Sequence, residues 1–121
     1  MRVKLKKSSR FNKKFSVTFE NGKTVDFGAK GYSDYTKHKN PERMRLYVSR
    51  HGGSVPFTLK KQTDIKRIHK NMLDVSRSDK ENWTTSGFYT AGFWSRWLLW
   101  SHPEIEGAKK VITTKFGLTF V

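Results

Sequence analysis

The stretch Ala91–Trp100 tolerates very few environments. Phe93, Trp97 and Trp100 recur at the spacing of one helical face, Trp94 and Leu98 form a neighbouring stripe, and Arg96 is the only charge among them. A short helix with so little polar surface must be covered by the rest of its domain or by a partner. A chain of 121 residues is long enough for one such domain. Only 35 % of its residues are apolar, but nine Phe, four Trp and four Tyr offset that shortage. Each aromatic can bury roughly 150–250 Å². The expectation is a folded domain rather than a disordered chain.

Local patterns supply the elements around that block. Phe15, Val17 and Phe19 alternate with polar residues, as on a strand with one buried face, and Asn21-Gly22 suits a tight hairpin turn. The returning strand carries Val25 and Phe27 on one side. Asn40-Pro41 pairs a capping side chain with a residue suited to a first helical turn. The following helix has Met44, Tyr47, Val48 and His51 on one stripe and stops at Gly52-Gly53. Val55–Leu59 reads as an edge strand or an extended link. A second helix is expected over about 63–75 with Ile65, Ile68 and Met72 inward, followed by a polar loop over 76–87 that holds Trp83. A last helix starts near Pro103, buries Ile105, Ala108, Ile112 and Phe116, and ends at Gly117. Leu118–Val121 then has the character to join the hairpin in a small sheet. The predicted class is α+β: one small domain with a β-hairpin and about four short helices.

Charge points to the partner. Lys and Arg number 25 against 10 Asp and Glu, a formal net charge of +15. Such a surplus weakens the compact state by self-repulsion, so its use must lie in attraction to something acidic. Arg2, Lys4, Lys6, Lys7, Arg10, Lys13 and Lys14 precede any acid in the chain. They read as a basic, extended N-terminal arm over residues 1–14, with the compact domain over 15–121. Arg43, Arg45 and Arg50, with Lys60, Lys61, Lys66, Arg67 and Lys70, would form a second positive surface if the first two helices lie side by side. The 51–63 connection is too long for a standard helix-turn-helix. Tyr32 and Tyr35, among glycines and Lys37, suit either base stacking or a packed loop. Phe93, Trp94, Trp97 and Trp100 are core residues or an interface, and Arg96 between them suits a cation–π contact or a buried salt bridge.

Catalysis finds little support. The chain has no cysteine, which excludes disulfides, thiolate chemistry and Cys-containing zinc sites. His38, His51, His69 and His102 are scattered without metal-binding spacing, and no Gly-rich phosphate loop occurs. Asp34, Asp64, Asp74 and Asp79 would have to converge in space to hold magnesium. The expectation is a protein that is not an enzyme and uses no cofactor, metal or small-molecule substrate. Residues 1–7 lack the apolar run of a signal peptide, and no stretch is long enough to span a bilayer, so a soluble or peripherally bound protein is expected.

Gly31-Tyr-Ser-Asp-Tyr35, Asn40-Pro41-Glu42-Arg43, Ser86-Gly87 and above all Thr90-Ala-Gly-Phe-Trp-Ser-Arg-Trp-Leu-Leu-Trp100 carry a resemblance. From Phe15 to Phe116 the chain resembles a small, basic, uncharacterised domain family encoded by large double-stranded DNA viruses of algae and amoebae. The resemblance brings no catalytic motif. It implies a viral product located in the virion and made in the infected host cell. The expected role is a structural component of the particle, a minor capsid or capsid-associated protein bound to acidic faces of other virion proteins. The alternative is a non-specific DNA-binding or genome-packaging protein; contact with an anionic membrane surface is a third partner class. An exposed Trp97 or Trp100 would favour the protein partner, and a continuous groove of Lys and Arg the nucleic acid.

Overall fold

Arg2-Val3-Lys4-Leu5-Lys6-Lys7 is a β-strand, β1, in the computed structural model, which describes Met1–Val121. It pairs antiparallel with β2 (Lys13–Phe19), which pairs antiparallel with β3 (Thr24–Ala29). A short strand, β4 (Thr119–Phe120), runs parallel to β1 on its other side, giving the order β3-β2-β1-β4. The expected basic arm is therefore an interior strand of the sheet. Its charges are so dense that they hide a period of two, in which Val3 is buried and Leu5 packs on the core while Arg2, Lys4 and Lys6 stay exposed. The terminal segment joins β1 rather than the hairpin, with Arg2 opposite Thr119 and Val3 opposite Phe120.

The β2–β3 hairpin forms as its alternation predicts. Its three-residue loop, Glu20–Gly22, is closed by the Gly22 N–H to the Phe19 carbonyl at 2.9 Å and the Phe19 N–H to the Lys23 carbonyl at 2.8 Å. Within the loop only Gly22 takes positive φ, at +86°. This is the type I turn with a glycine bulge, the longer relative of the two-residue turn.

Six helices pack with the sheet around the aromatic core. α1 (Tyr35–His38) is a single turn, and α2 (Pro41–Arg50) opens as expected, with the Asn40 side chain accepting from the Glu42 and Arg43 N–H groups. Met44 and Val48 are its buried stripe. Val55–Leu59 is neither strand nor extended link: Pro56 leads into a one-turn helix, α3 (Phe57–Lys60). α4 (Ile65–Met72) is shorter than its periodicity suggests, because Asp64 caps it through the Lys66 and Arg67 N–H groups. Ile68 and Met72 are buried, but Ile65 stands on the first turn and is 54 % exposed, against expectation.

α5 (Ala91–Trp94) continues without a break into a π-helical turn over Ser95–Leu99. Phe93, Trp94, Trp97, Leu98 and Leu99 are buried there, and Trp83 reaches the same core from its loop. Each of three indole N–H groups finds an acceptor: Trp83 on Glu81 at 2.8 Å, Trp94 on the Phe88 carbonyl at 2.8 Å, Trp97 on the Trp83 carbonyl at 3.0 Å. That pairing removes the cost of burying a polar handle with each ring. α6 (Ile105–Phe116) starts two residues beyond Pro103 and ends at Gly117, whose φ is +70°. Ala108 and Ile112 are buried on it, with Ile105 and Phe116 packed at the margin of the core. The class is α+β, with six helices rather than four, and no helix is long and apolar enough to cross a membrane.

Candidate polyanion groove

Of the 25 Lys and Arg side chains, only Lys14, Lys39 and Lys109 have a carboxylate within 4.0 Å. Arg45 and Arg96 are tied to backbone carbonyls, most of the others are exposed, and part of that exposed charge converges. At one end of the sheet lies a hollow of about 890 Å³, bounded by the β1–β2 connection, the turn after β3, α1 and the start of α6. Lys7, Lys13, Lys14, Lys30 and Lys37 line it. A second hollow of about 470 Å³ adjoins it and adds Arg43 and Arg50 from α2. Lys13, Lys14, Tyr32, Ser33 and Asp34 belong to both walls, so the two hollows adjoin, and seven cations line the groove they make together.

The acids bordering the groove are already engaged. Asp34 accepts Lys14 Nζ at 2.6 Å and the Thr36 N–H at 2.9 Å. Glu81 is held by the His51 ring and the Trp83 indole, Glu104 by Lys39, and Glu106 by Lys109. Six cations, all but Lys14, therefore face the groove without a fixed anion. The turn that carries Tyr32 depends on Gly31, whose φ of +94° few other residues accept, and is closed by the Tyr32 N–H to the Ala29 carbonyl at 3.3 Å.

The remaining sequence candidates lie elsewhere. Arg2, Lys4 and Lys6 make an exposed row on the open face of the sheet, with side chains about 6.8 Å apart along the strand. Arg10 is exposed on the β1–β2 connection. Arg45 is not free to bind: its Nη1 donates to the Leu59 and Gln62 carbonyls, both at 2.8 Å, and ties α2 to the segment around α3. Lys60, Lys61, Lys66, Arg67 and Lys70 are exposed around α3 and α4, and none borders the groove. Phe93, Trp94 and Trp97 are core, and Trp100 is half-buried with its ring stacked on Tyr47 at 4.0 Å. The tryptophans thus offer no exposed anchor for a protein partner.

The charge runs include Lys7, Lys13, Lys14, Arg43 and Arg50; Lys37 is marked in the sequence only by its place beside the two tyrosines, and Lys30 is not marked at all. Of the tyrosines, Tyr32 is exposed and Tyr35 is buried. The Tyr35 hydroxyl lies 2.9 Å from His69 Nδ1, and burial pushes its pKa up to about 12. Burial likewise holds His69 and His38 below the ordinary histidine range, helped by His102 and Arg43 respectively. No three His, Asp or Glu side chains come together in a way that could hold a metal ion.

A model of a family of unknown function (DUF5754) matches residues 3–51, from β1 through α2. All seven groove cations fall inside that segment, whereas Ser86–Trp100 lies outside it. No curated protein and no solved structure matches the chain.

Proposed function

We propose that this protein is a non-enzymatic nucleic-acid-binding module that grips phosphate backbones without reading sequence. The observation that carries the reading is the contiguous groove whose bordering acids are all engaged, leaving Lys7, Lys13, Lys30, Lys37, Arg43 and Arg50 free. Lysines on flexible stems are point charges that suit a repeating anion better than a unique base edge. Binding would draw on counterion release, with a salt slope no steeper than about −4 for a single strand if all six cations engage. The virus resemblance adds the setting, a genome-associated protein of a large DNA virus.

A second reading, a minor capsid or capsid-associated component bound to acidic neighbours, is favoured by a different feature. Arg2, Lys4 and Lys6 form a regular row on the open face of the sheet, suited to a flat acidic wall.

Titration of labelled oligonucleotide by fluorescence anisotropy, at roughly 50 and 200 mM salt, tests the first reading. Joint replacement of Lys7, Lys13, Lys30 and Lys37 by Gln should abolish binding. Joint replacement of Lys60, Lys61 and Lys66 should change it little. No binding at the lower salt, or equal loss in both variants, removes the groove from consideration. Retained binding lost only on replacing Arg2, Lys4 and Lys6 moves the contact to the open sheet.

A further inference from the structure

Four aromatic side chains are exposed: Phe11, Tyr32, Phe57 and Tyr89. Two of these rings are occupied within the molecule. Lys61 Nζ lies 4.5 Å from the Phe57 ring centroid, and Tyr89 packs edge-on to Phe19 with Lys23 over its face. Tyr32 and Phe11 have no ring or cation partner, and they are the most exposed of the four, at 75 % and 88 %. The Tyr32 hydroxyl makes no hydrogen bond that would explain its position by folding.

Tyr32 stands among the groove cations, whereas Phe11 lies outside both linings, on the β1–β2 connection next to them. Tyr32 lines the two hollows together with Lys13 and follows Lys30 by two residues. Phe11 occupies the turn from Arg10 to Lys13, closed by the Lys13 N–H to the Arg10 carbonyl at 3.2 Å. That turn is tied to the groove wall by the Lys30 N–H to the Asn12 carbonyl at 3.1 Å.

We propose that the groove takes its nucleic acid as an unpaired strand, with Tyr32 as a stacking platform for bases between phosphate-binding lysines. The inference rests on the groove reading above and narrows it. In a duplex the base faces are already stacked, so an aromatic face offered from the protein has nothing to receive it. Phosphates alone would need the lysines but not the rings. An unpaired strand presents both a phosphate and a free π-face at each nucleotide, and cations interleaved with exposed rings match that pairing. Every base has a π-face, so the arrangement gives strand preference without sequence preference.

The test uses the full chain and two probes in low salt: a labelled thymidine oligonucleotide of about 20 nucleotides, and a duplex of equal length. The intact protein should bind the single strand more tightly. Tyr32→Ala should weaken that complex by about tenfold while changing duplex affinity less than about twofold, and Tyr32→Phe should keep it. Tyr32 touches no other ring and is exposed, so an unchanged urea midpoint establishes that the Ala variant is folded. Equal losses on both probes, no loss on either, or tighter binding of the duplex overturns the stacking role and leaves the groove reading standing. Failure of the intact protein to bind either probe overturns both.

Discussion

Lys14 Nζ lies 2.6 Å from Asp34 Oδ2, with the two side chains only 11 % and 2 % exposed. The same carboxylate accepts the Thr36 N–H at 2.9 Å and the Thr36 hydroxyl, so it also caps α1. One acid thereby fastens the Tyr32 loop to β2. It costs the groove one free cation and in return sets where the others stand.

Removing that acid should loosen the loop and strand Lys14. Asp34→Ala is expected to lose about 3 kcal/mol of stability, combining a lost cap with a broken, nearly buried pair. Asp34→Asn keeps a capping oxygen and should lose about 1 kcal/mol less. Urea denaturation measures both. A change under about 0.5 kcal/mol for the Ala variant would mean that the loop is held by other contacts.

Arg96 is fully buried with no carboxylate near it. Its guanidinium donates to the Trp100, Met72 and Val75 carbonyls at 2.6, 2.7 and 3.1 Å and lies 4.4 Å from the Trp97 ring centroid. The Met72 carbonyl is at the negative end of α4, where a cation is favoured. Burial draws the Arg96 pKa down to about 9, which still leaves it charged at neutral pH. Lys cannot span three carbonyls, so Arg96→Lys should lose about 3–5 kcal/mol, and Arg96→Met a similar amount by orphaning the same acceptors. Equilibrium unfolding of the two variants checks this. If Met is tolerated within about 1 kcal/mol, the carbonyls have found other donors.

Two glycines should fail differently on replacement by Ala. A Cβ on Gly87 would stand 2.0 Å from the Asn82 carbonyl oxygen, a backbone atom that cannot step aside. A Cβ on Gly31 would meet nothing within 4 Å, and only its φ of +94° resists. Gly87→Ala should therefore cost more than about 3 kcal/mol and Gly31→Ala about 1–2 kcal/mol. The order of the two thermal midpoints decides the matter.

What could be read in the chain beforehand was whatever is local. The hairpin, the Asn40-Pro41 helix start and the Gly117 stop each depend on a few adjacent residues, and each stands where its pattern put it. β1 escaped because strand and arm share the composition Arg-Val-Lys-Leu-Lys-Lys. Only non-local pairing to Val17 and Phe19 makes Val3 and Leu5 a buried face. The groove was half legible for the same reason. Charge runs marked Lys13 and Arg43 as parts of two surfaces, and tertiary packing merged them with Lys30 and Lys37. Arg45 had the right charge on the right helix, yet its place within reach of two carbonyls made it a brace.

Acid should weaken the fold in a window set by histidine. His38 and His69 both have folded pKa values below the ordinary 6.5, mainly through burial, with Arg43 and His102 adding to the effect and Asp34 opposing it at His38. The unfolded chain takes up these protons near pH 6.5, whereas the folded protein takes them up only at lower pH. Stability is therefore fully present above about 6.5 and is lost as pH falls through the folded values. Glu104, held down chiefly by its hydrogen bond to Lys39, acts only below its ordinary 4.5 and leaves the higher window to histidine. Urea midpoints should stay level from pH 7.5 to about 6.5 and fall from there toward pH 5, and His69→Gln should flatten part of that fall. A midpoint that stays level across this range in the unmodified protein would mean that both imidazoles are protonated as readily folded as unfolded.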